Sequence, residues 1–207
     1  MSKHNDYYEM TMISKSHQAA DAMDWNEAMV LVQKMYDDGM VRDSLLIDAG
    51  CFLGLRVSDL LRLQWEDLLS DEFVINEQKT GKTRTLRVSS SLMKHAKRCR
   101  KELGNPSLDS YAFVQTKGDK PISRQTVDLM MKKVKVKYKV KSAKVFSSHS
   151  LRKTFGRRIW LQECDKGRGD QALLLLCDVF GHSSIAITKR YLGIRQEEIL
   201  SVYSSLE

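Results

Sequence analysis

The sequence predicts a mainly helical domain with one small antiparallel β-sheet, an α+β arrangement. Three observations predict it. Apolar residues recur at helical spacing along most of the chain. The period switches to strand-like alternation once, between Phe73 and Val88. Only two prolines and 11 glycines occur in 207 residues, too few for a loop-rich chain. Hydrophobic residues make up 42% and charged residues 29%, which is globular composition. At this length a chain buries roughly 70% of its unfolded surface, so a core forms without staples.

The elements follow in order. Residues 1–22 are polar and weakly periodic and read as an N-terminal tail, leaving 23–207 as one domain. Asp24 offers an N-cap, and Ala28, Leu31, Val32 and Met35 recur before Gly39 stops the pattern. A second helix runs from about Val41 to Leu53, with Leu45, Leu46, Ala49 and Phe52 on one face and Gly54 at its end. Ser58 or Asp59 caps a short helix through Leu63. Phe73–Ile75 and Thr83–Val88 are strands, joined by the turn Lys79-Thr80-Gly81-Lys82 in a hairpin with a basic tip. Helical patterns return at about Ser91–Leu103, Ser123–Tyr138, His149–Gln162, Gln171–Phe180, Ser184–Leu192 and Gln196–Tyr203. There is no internal repeat.

The four cysteines have neither metal-ligand nor redox-motif spacing, and three sit among apolar or helix-forming neighbours, as small buried hydrophobes in a reducing compartment do. The longest wholly apolar run, Ala172–Cys177, is far too short to span a bilayer. The N-terminus has no apolar signal core. These features predict a cytoplasmic protein with no membrane partner.

Charge points to a polyanion. The net charge is +8. From Leu129 to Gln162 there are eight lysines, three arginines and no acid. Within this tract Lys135, Lys137, Lys139 and Lys141 alternate with other residues, an arrangement that suits a phosphate backbone on one face and the core on the other. A solvated strand edge protected by lysines would carry the same pattern.

Four fragments carry candidate chemistry: Gly54-Leu55-Arg56-Val57-Ser58-Asp59-Leu60, the hairpin tip, His149-Ser150-Leu151-Arg152-Lys153-Thr154, and Gly181-His182 followed nine residues later by Tyr191. Each alone has an ordinary explanation, such as a surface arginine, a turn lysine, a capping histidine or a half-buried aromatic. In this order and spacing they resemble the tyrosine recombinase, or phage integrase, family. GLRVSDLLRLQWEDL is similar to its first arginine box, HSLRKTFG to its histidine-x-x-arginine box, and FGHSSIAITKRYLGI to its closing histidine-to-tyrosine box. QKTGKTR sits where the family carries its hairpin lysine. The resemblance spans about Asp24 to Ile194.

That resemblance implies a catalytic domain that cuts and rejoins double-stranded DNA through a 3′-phosphotyrosine. Its site would comprise Arg56, Lys79, His149, Arg152, His182 and Tyr191, with Asp59 behind the first arginine box. Lys82, Arg84, Lys135, Lys137, Lys139, Lys141 and Lys153 would contact DNA. Elementary chemistry fits the same set. Planar guanidiniums grip two oxygens of a pentavalent phosphorus at once, the task metal ions perform in many nucleases. A phenol with pKa near 10 attacks and later leaves with comparable ease, so the cut can be resealed. No metal site and no cofactor is expected. The family implies a tetramer on DNA and a monomer off it. The family's N-terminal clamp domain is not expected here, which suits either a naturally minimal enzyme or an excised domain. A type IB topoisomerase shares the nicking chemistry, but the short chain and the GHSS…Tyr spacing favour a recombinase. A non-catalytic DNA-binding regulator would be expected to lack an active-site residue, and all six positions are filled.

The acid-free basic tract predicts DNA binding that weakens by orders of magnitude between about 50 and 200 mM salt, if six or more phosphates are contacted. Filter binding or anisotropy across that range checks it, and a salt-independent affinity refutes it.

Overall fold

The computed structural model describes residues 19–194, 200, 203 and 204. The expected helix over Gln196–Tyr203 lies largely outside them. Asp24 caps the first helix as its position requires, its carboxylate accepting from the Glu27 amide at 2.9 Å. That helix, α1 (Trp25–Asp37), buries Ala28, Leu31, Val32 and Met35. It turns through Asp38-Gly39-Met40 into α2 (Val41–Leu53). Trp25 at the start of α1 meets Phe52 at the end of α2, ring centroids 5.0 Å apart, so the pair is antiparallel.

Helix α2 was expected to bury one face. It is instead the central helix, with Leu45, Leu46, Ile47, Ala49 and Cys51 all fully buried. Apolar residues occupy nearly every direction around it, because α1, α7 and α5 pack on different sides. Short α3 (Val57–Leu60) follows. Its N-cap position is Arg56, with no side-chain cap bond. Neither Ser58 nor Asp59 caps it, because both lie inside the helix. Helix α4 (Trp65–Leu69) was not anticipated from the sequence. A capping box starts it, Gln64 against Asp67, and Trp65 is fully buried.

Strands β1 (Glu72–Asn76) and β2 (Thr83–Arg87) form the hairpin, in the register Phe73↔Leu86 and Ile75↔Arg84. Phe73 and Ile75 face the core and Val74 faces out. Helices α5 (Ser90–Glu102), α6 (Arg124–Tyr138), α7 (Ser148–Cys164), α8 (Gly169–Phe180) and α9 (Ile185–Leu192) then complete the described chain. Ser89, Ser123 and Ser184 cap α5, α6 and α9 with their hydroxyls. Cys51 and Cys99 are buried, Cys177 is half-buried, and Cys164 is exposed. Tyr203, at the end of the expected last helix, is 69% exposed.

Ahead of α1, Asp21 pairs with Val145, donating its amide at 2.9 Å and accepting at its carboxylate at 2.8 Å. The large core lies between α1, α2 and their neighbours. A smaller one gathers Leu173, Leu176, Phe180, Leu192 and Ile194 from α8, α9 and the chain just beyond. Helix α7 joins the two cores through close approaches at glycine. A Cβ on Gly50 would lie 2.6 Å from Leu151, and one on Gly54 would lie 2.4 Å from Phe155. A Cβ on Gly156 would lie 2.7 Å from both Leu192 and Phe180. No single helix among the described residues is long and apolar enough to cross a membrane.

Gly156→Ala therefore overpacks the second core and is expected to cost ~1–3 kcal/mol. At about 2–4 °C per kcal/mol, the melting temperature falls by roughly 2–12 °C. Gln171→Ala, on the exposed side of α8, leaves it nearly unchanged. Thermal unfolding of the two variants checks the contrast.

Candidate active site

The end of α8 organises the site. Gly181 closes this helix in the left-handed conformation, φ +63°. Only glycine adopts that turn without strain. The last carbonyls of the helix remain without intrahelical partners and carry the negative end of its dipole. Three guanidiniums converge there. Arg56 Nη2 and Arg152 Nη2 both donate to the Phe180 carbonyl, each at 3.2 Å. Arg84 Nη1 donates to the Val179 carbonyl at 2.7 Å. The other end of Arg152 donates to the Gly54 carbonyl, where α2 stops. Its guanidinium lies 4.6 Å above the Phe180 ring.

Glu77, just past β1, supplies the counter-charge. It is only 4% exposed. One carboxylate oxygen accepts from Arg56 at 2.8 Å and the other from Arg84 at 2.9 Å. Burial alone would raise its pKa, but hydrogen bonds from Thr80, Arg84 and Arg56 outweigh it and bring it down to about 2. Arg152 is 5% exposed, and burial lowers it to about 10, with Arg56 adding repulsion. It stays charged at neutral pH.

Asp59 lies inside α3, three residues after Arg56, and is fully buried. Its Oδ1 accepts from the Gln78 amide at 2.9 Å, which ties the hairpin to the helix that Arg56 starts. Its Oδ2 has no partner.

Tyr191 sits in the last turn of α9. Its ring packs edge-on against Phe180 at 5.3 Å and His182 at 5.2 Å. Its hydroxyl is buried without a hydrogen-bond partner. Burial raises its pKa, and the charges of Arg152 and Arg56, with the Arg152 guanidinium close to the oxygen, only partly pull it back. His182 follows the Gly181 turn, with Nδ1 held 3.0 Å from the Thr188 hydroxyl. Burial, then Arg152 and Arg56, push its pKa below the ordinary value. His149 is exposed in the first turn of α7, one helical step from Arg152. Desolvation of its ring against the helix and the Arg124 charge lower its pKa too, with Asp128 opposing them.

Arg56, Arg152, His182 and Tyr191 are thus brought together. Lys79 and Lys82 are exposed on the turn that Glu77 and Asp59 tie to this cluster. The expected DNA-contacting residues divide. Arg84 belongs to the buried-acid cluster. Lys153, next to Arg152, is turned inward and 7% exposed, with its Nζ 5.0 Å from the centre of the Tyr191 ring. Lys137 pairs with Asp38 at 2.7 Å, and Lys135 donates to the Lys144 carbonyl. Asp38 is at the far end of α1, roughly 20 Å of helix from Trp25. Lys139 and Lys141 are exposed beyond α6, Lys139 as its left-handed C-cap. The lysine tract is helical to Tyr138, not a strand edge. Its alternation therefore does not sort onto two faces, and Val136 is 79% exposed. Sequence reasoning missed Glu77 and the Phe180 carbonyl. The Phe-Gly-His stop was visible as a helix end, but which groups would fill its free carbonyls was not.

The family described as "Phage integrase family" matches residues 21–198. Tyrosine recombinase XerC of Xanthomonas axonopodis pv. citri is 31% identical over 185 residues, covering 88% of this chain and 57% of that protein. "Probable integrase/recombinase YoeC" of Bacillus subtilis is 29% identical over 163 residues, covering 78% of this chain and 83% of that one. Among solved structures, the XerA recombinase superposes with TM-score 0.66 at 20% identity, over 91% of this chain and 66% of that one. XerH bound to its palindromic difH substrate gives 0.64 at 18%, over 93% and 56%. The chain spans little more than half the length of the XerC protein it matches. The solved structures share its fold, and the family match extends from Asp21 past every residue of the cluster. The chain belongs to the phage integrase family.

Proposed function

We propose that this chain is the catalytic domain, residues 23–207, of a site-specific DNA recombinase, and that Tyr191 is its nucleophile. One observation carries the reading. A buried tyrosine hydroxyl without a partner sits beside two arginines held on one backbone carbonyl. Such a hydroxyl is available to a phosphate that the arginines would hold.

The chemistry then runs as follows. A backbone phosphate binds Arg56 and Arg152 through the donors that Phe180 and Gly54 leave free. Tyr191 Oη attacks phosphorus and its proton passes to His149. The Oη–P bond forms as the P–O5′ bond breaks, and Lys79 protonates the leaving 5′ oxygen. His182 donates to a phosphate oxygen. The guanidiniums stabilise the charge that builds on the equatorial oxygens. The phosphotyrosine is close in energy to a phosphodiester, so a second 5′ hydroxyl reverses the sequence with no energy input. Lys82, Lys139 and Lys141 contact the flanking backbone. Joining two duplexes needs four copies on DNA, with the monomer as the free state, and the work is done in the cytoplasm. Integration, excision and inversion all use these steps.

Tyr191→Phe removes one hydroxyl and no packing. It is expected to raise the melting temperature by a few °C, because an unpaired buried hydroxyl is lost, to leave DNA affinity unchanged, and to abolish the covalent adduct on a nicked suicide duplex. A plasmid carrying two sites should recombine with the parent chain and not with the variant. An adduct that persists in Tyr191→Phe overturns the assignment. Relaxation of a plasmid carrying no site, without recombination of the two-site plasmid, marks a topoisomerase instead.

A further inference from the structure

Glu77 has no role in the steps above, yet it is the most heavily engaged acid near the arginines. Its Oε2 accepts from Arg56 at 2.8 Å and from the Thr80 hydroxyl at 2.7 Å. Its Oε1 accepts from Arg84 at 2.9 Å. Its backbone closes the turn, with the Glu77 amide donating to the Lys82 carbonyl at 3.0 Å and the Gly81 amide donating back at 2.8 Å. The Thr80 hydroxyl also accepts from the Lys82 amide at 3.3 Å. Lys79 sits between these anchors. One carboxylate therefore joins the arginines, on its two oxygens, to the residue that follows Lys79.

We infer that Glu77 is a positioning residue that locks the Lys79 turn to Arg56 and Arg84, so that the proton donor and the phosphate clamp are held in one register. The inference rests on the proposed function. The physical reason is geometric. A lysine on a two-stranded hairpin has a long side chain and a mobile base. Proton donation needs its nitrogen within hydrogen-bond reach of the 5′ oxygen. Without the Thr80–Glu77 bond the turn beyond Gln78 is held by backbone bonds, with the Gln78–Asp59 bond fixing only its foot. An amide in place of the carboxylate fails differently, since its NH2 would face a guanidinium and only one oxygen would remain to accept.

Thr80 gives the clean test because it is exposed and far from the core. Thr80→Val keeps the shape and removes the hydroxyl, whereas Thr80→Ser keeps the hydroxyl. Single-turnover cleavage is measured on a suicide duplex with an ordinary 5′ oxygen and on one with a bridging 5′ sulfur, whose thiolate leaves without a proton. Thr80→Val is expected to slow cleavage of the oxygen substrate about tenfold and to be restored within about threefold on the sulfur substrate. Thr80→Ser should match the parent on both, and DNA affinity should not move. Lys79→Ala, slowed roughly 10²–10⁴-fold on oxygen and rescued by sulfur, is the internal control. Glu77→Gln should be slowed on both substrates and only partly rescued, because it also loosens Arg56.

Three results overturn the inference. Equal slowing of Thr80→Val on both substrates, or none, separates the turn from the proton donor while Lys79 keeps its role. Faster cleavage by Glu77→Gln makes the carboxylate a plug on the arginines rather than a brace. Lys79→Ala slowed equally on both substrates removes Lys79 as the acid and takes the inference with it. A parent chain that forms no adduct on either substrate refutes the proposed function itself.

Discussion

Two guanidiniums share one backbone oxygen, and the arrangement of the whole domain follows from making that possible. Arg56 and Arg152 both donate to the Phe180 carbonyl, so two like charges lie close together in a largely buried site. In isolation that pairing is unfavourable. Here the C-terminal end of α8, the Phe180 ring and Glu77 all oppose the repulsion. The balance is incomplete. Three arginines and the inward Lys153 outnumber the Glu77 and Asp59 carboxylates, which leaves net positive charge at the site. That excess suits a phosphodiester monoanion and suits the more negative pentavalent state better. The donors are already fixed by protein carbonyls, so little reorganisation is left for the moment of reaction.

Backbone proximity makes this arrangement reachable. The Gly54 carbonyl accepts from Arg152 at the end of α2, and Gly54 itself leaves no room for a side chain beside Phe155. Gly156, one turn beyond Arg152, does the same against Leu192 and Phe180. Helix α7 is thereby pressed between the main core and the second one. Arg152 cannot move outward without opening a glycine contact on either side. The second core includes Phe180 and packs Tyr191, so the nucleophile candidate and the carbonyl clamp belong to one rigid unit.

Much of this was legible in the sequence because it is local. The Asp24 cap, the helix stop at Gly54, the helix starts near Ser123 and Ser184, the helix end at Phe180 and the strand–turn–strand pattern depend on neighbours a few residues apart. The four boxes are likewise short strings in fixed order. What stayed hidden depends on contacts far along the chain. Glu77 looks like a hairpin acid until Arg56, 21 residues earlier, reaches it. Arg84 looks like a surface strand residue until α8, 95 residues later, offers it a carbonyl. Lys153 follows Arg152 on a helix buried on more than one side, which no single-helix pattern conveys. The lysine tract misled for the opposite reason. Its period of two is clear in the sequence, but the backbone there has a period of 3.6.

Two buried side-chain oxygens among the described residues have no hydrogen-bond partner, Asp59 Oδ2 and the Tyr191 hydroxyl. An unsatisfied buried polar group costs about 1–3 kcal/mol, and folded proteins rarely keep one without cause. Both belong to the same site. Asp59 spends its other oxygen on the Gln78 amide, at the foot of the Lys79 turn. Tyr191 lies against the ring whose carbonyl holds both arginines. A core tyrosine selected only for packing could rotate its hydroxyl toward water or a carbonyl. This one is enclosed by Phe180, His182 and the Lys153 ammonium, close to positive charge and without an acceptor. Burial holds the group as the neutral phenol, with its pKa raised despite the nearby arginines, and the missing partner leaves the oxygen free to bond elsewhere. The stability given up at that hydroxyl is what a nucleophile waiting for an electrophilic phosphorus would require.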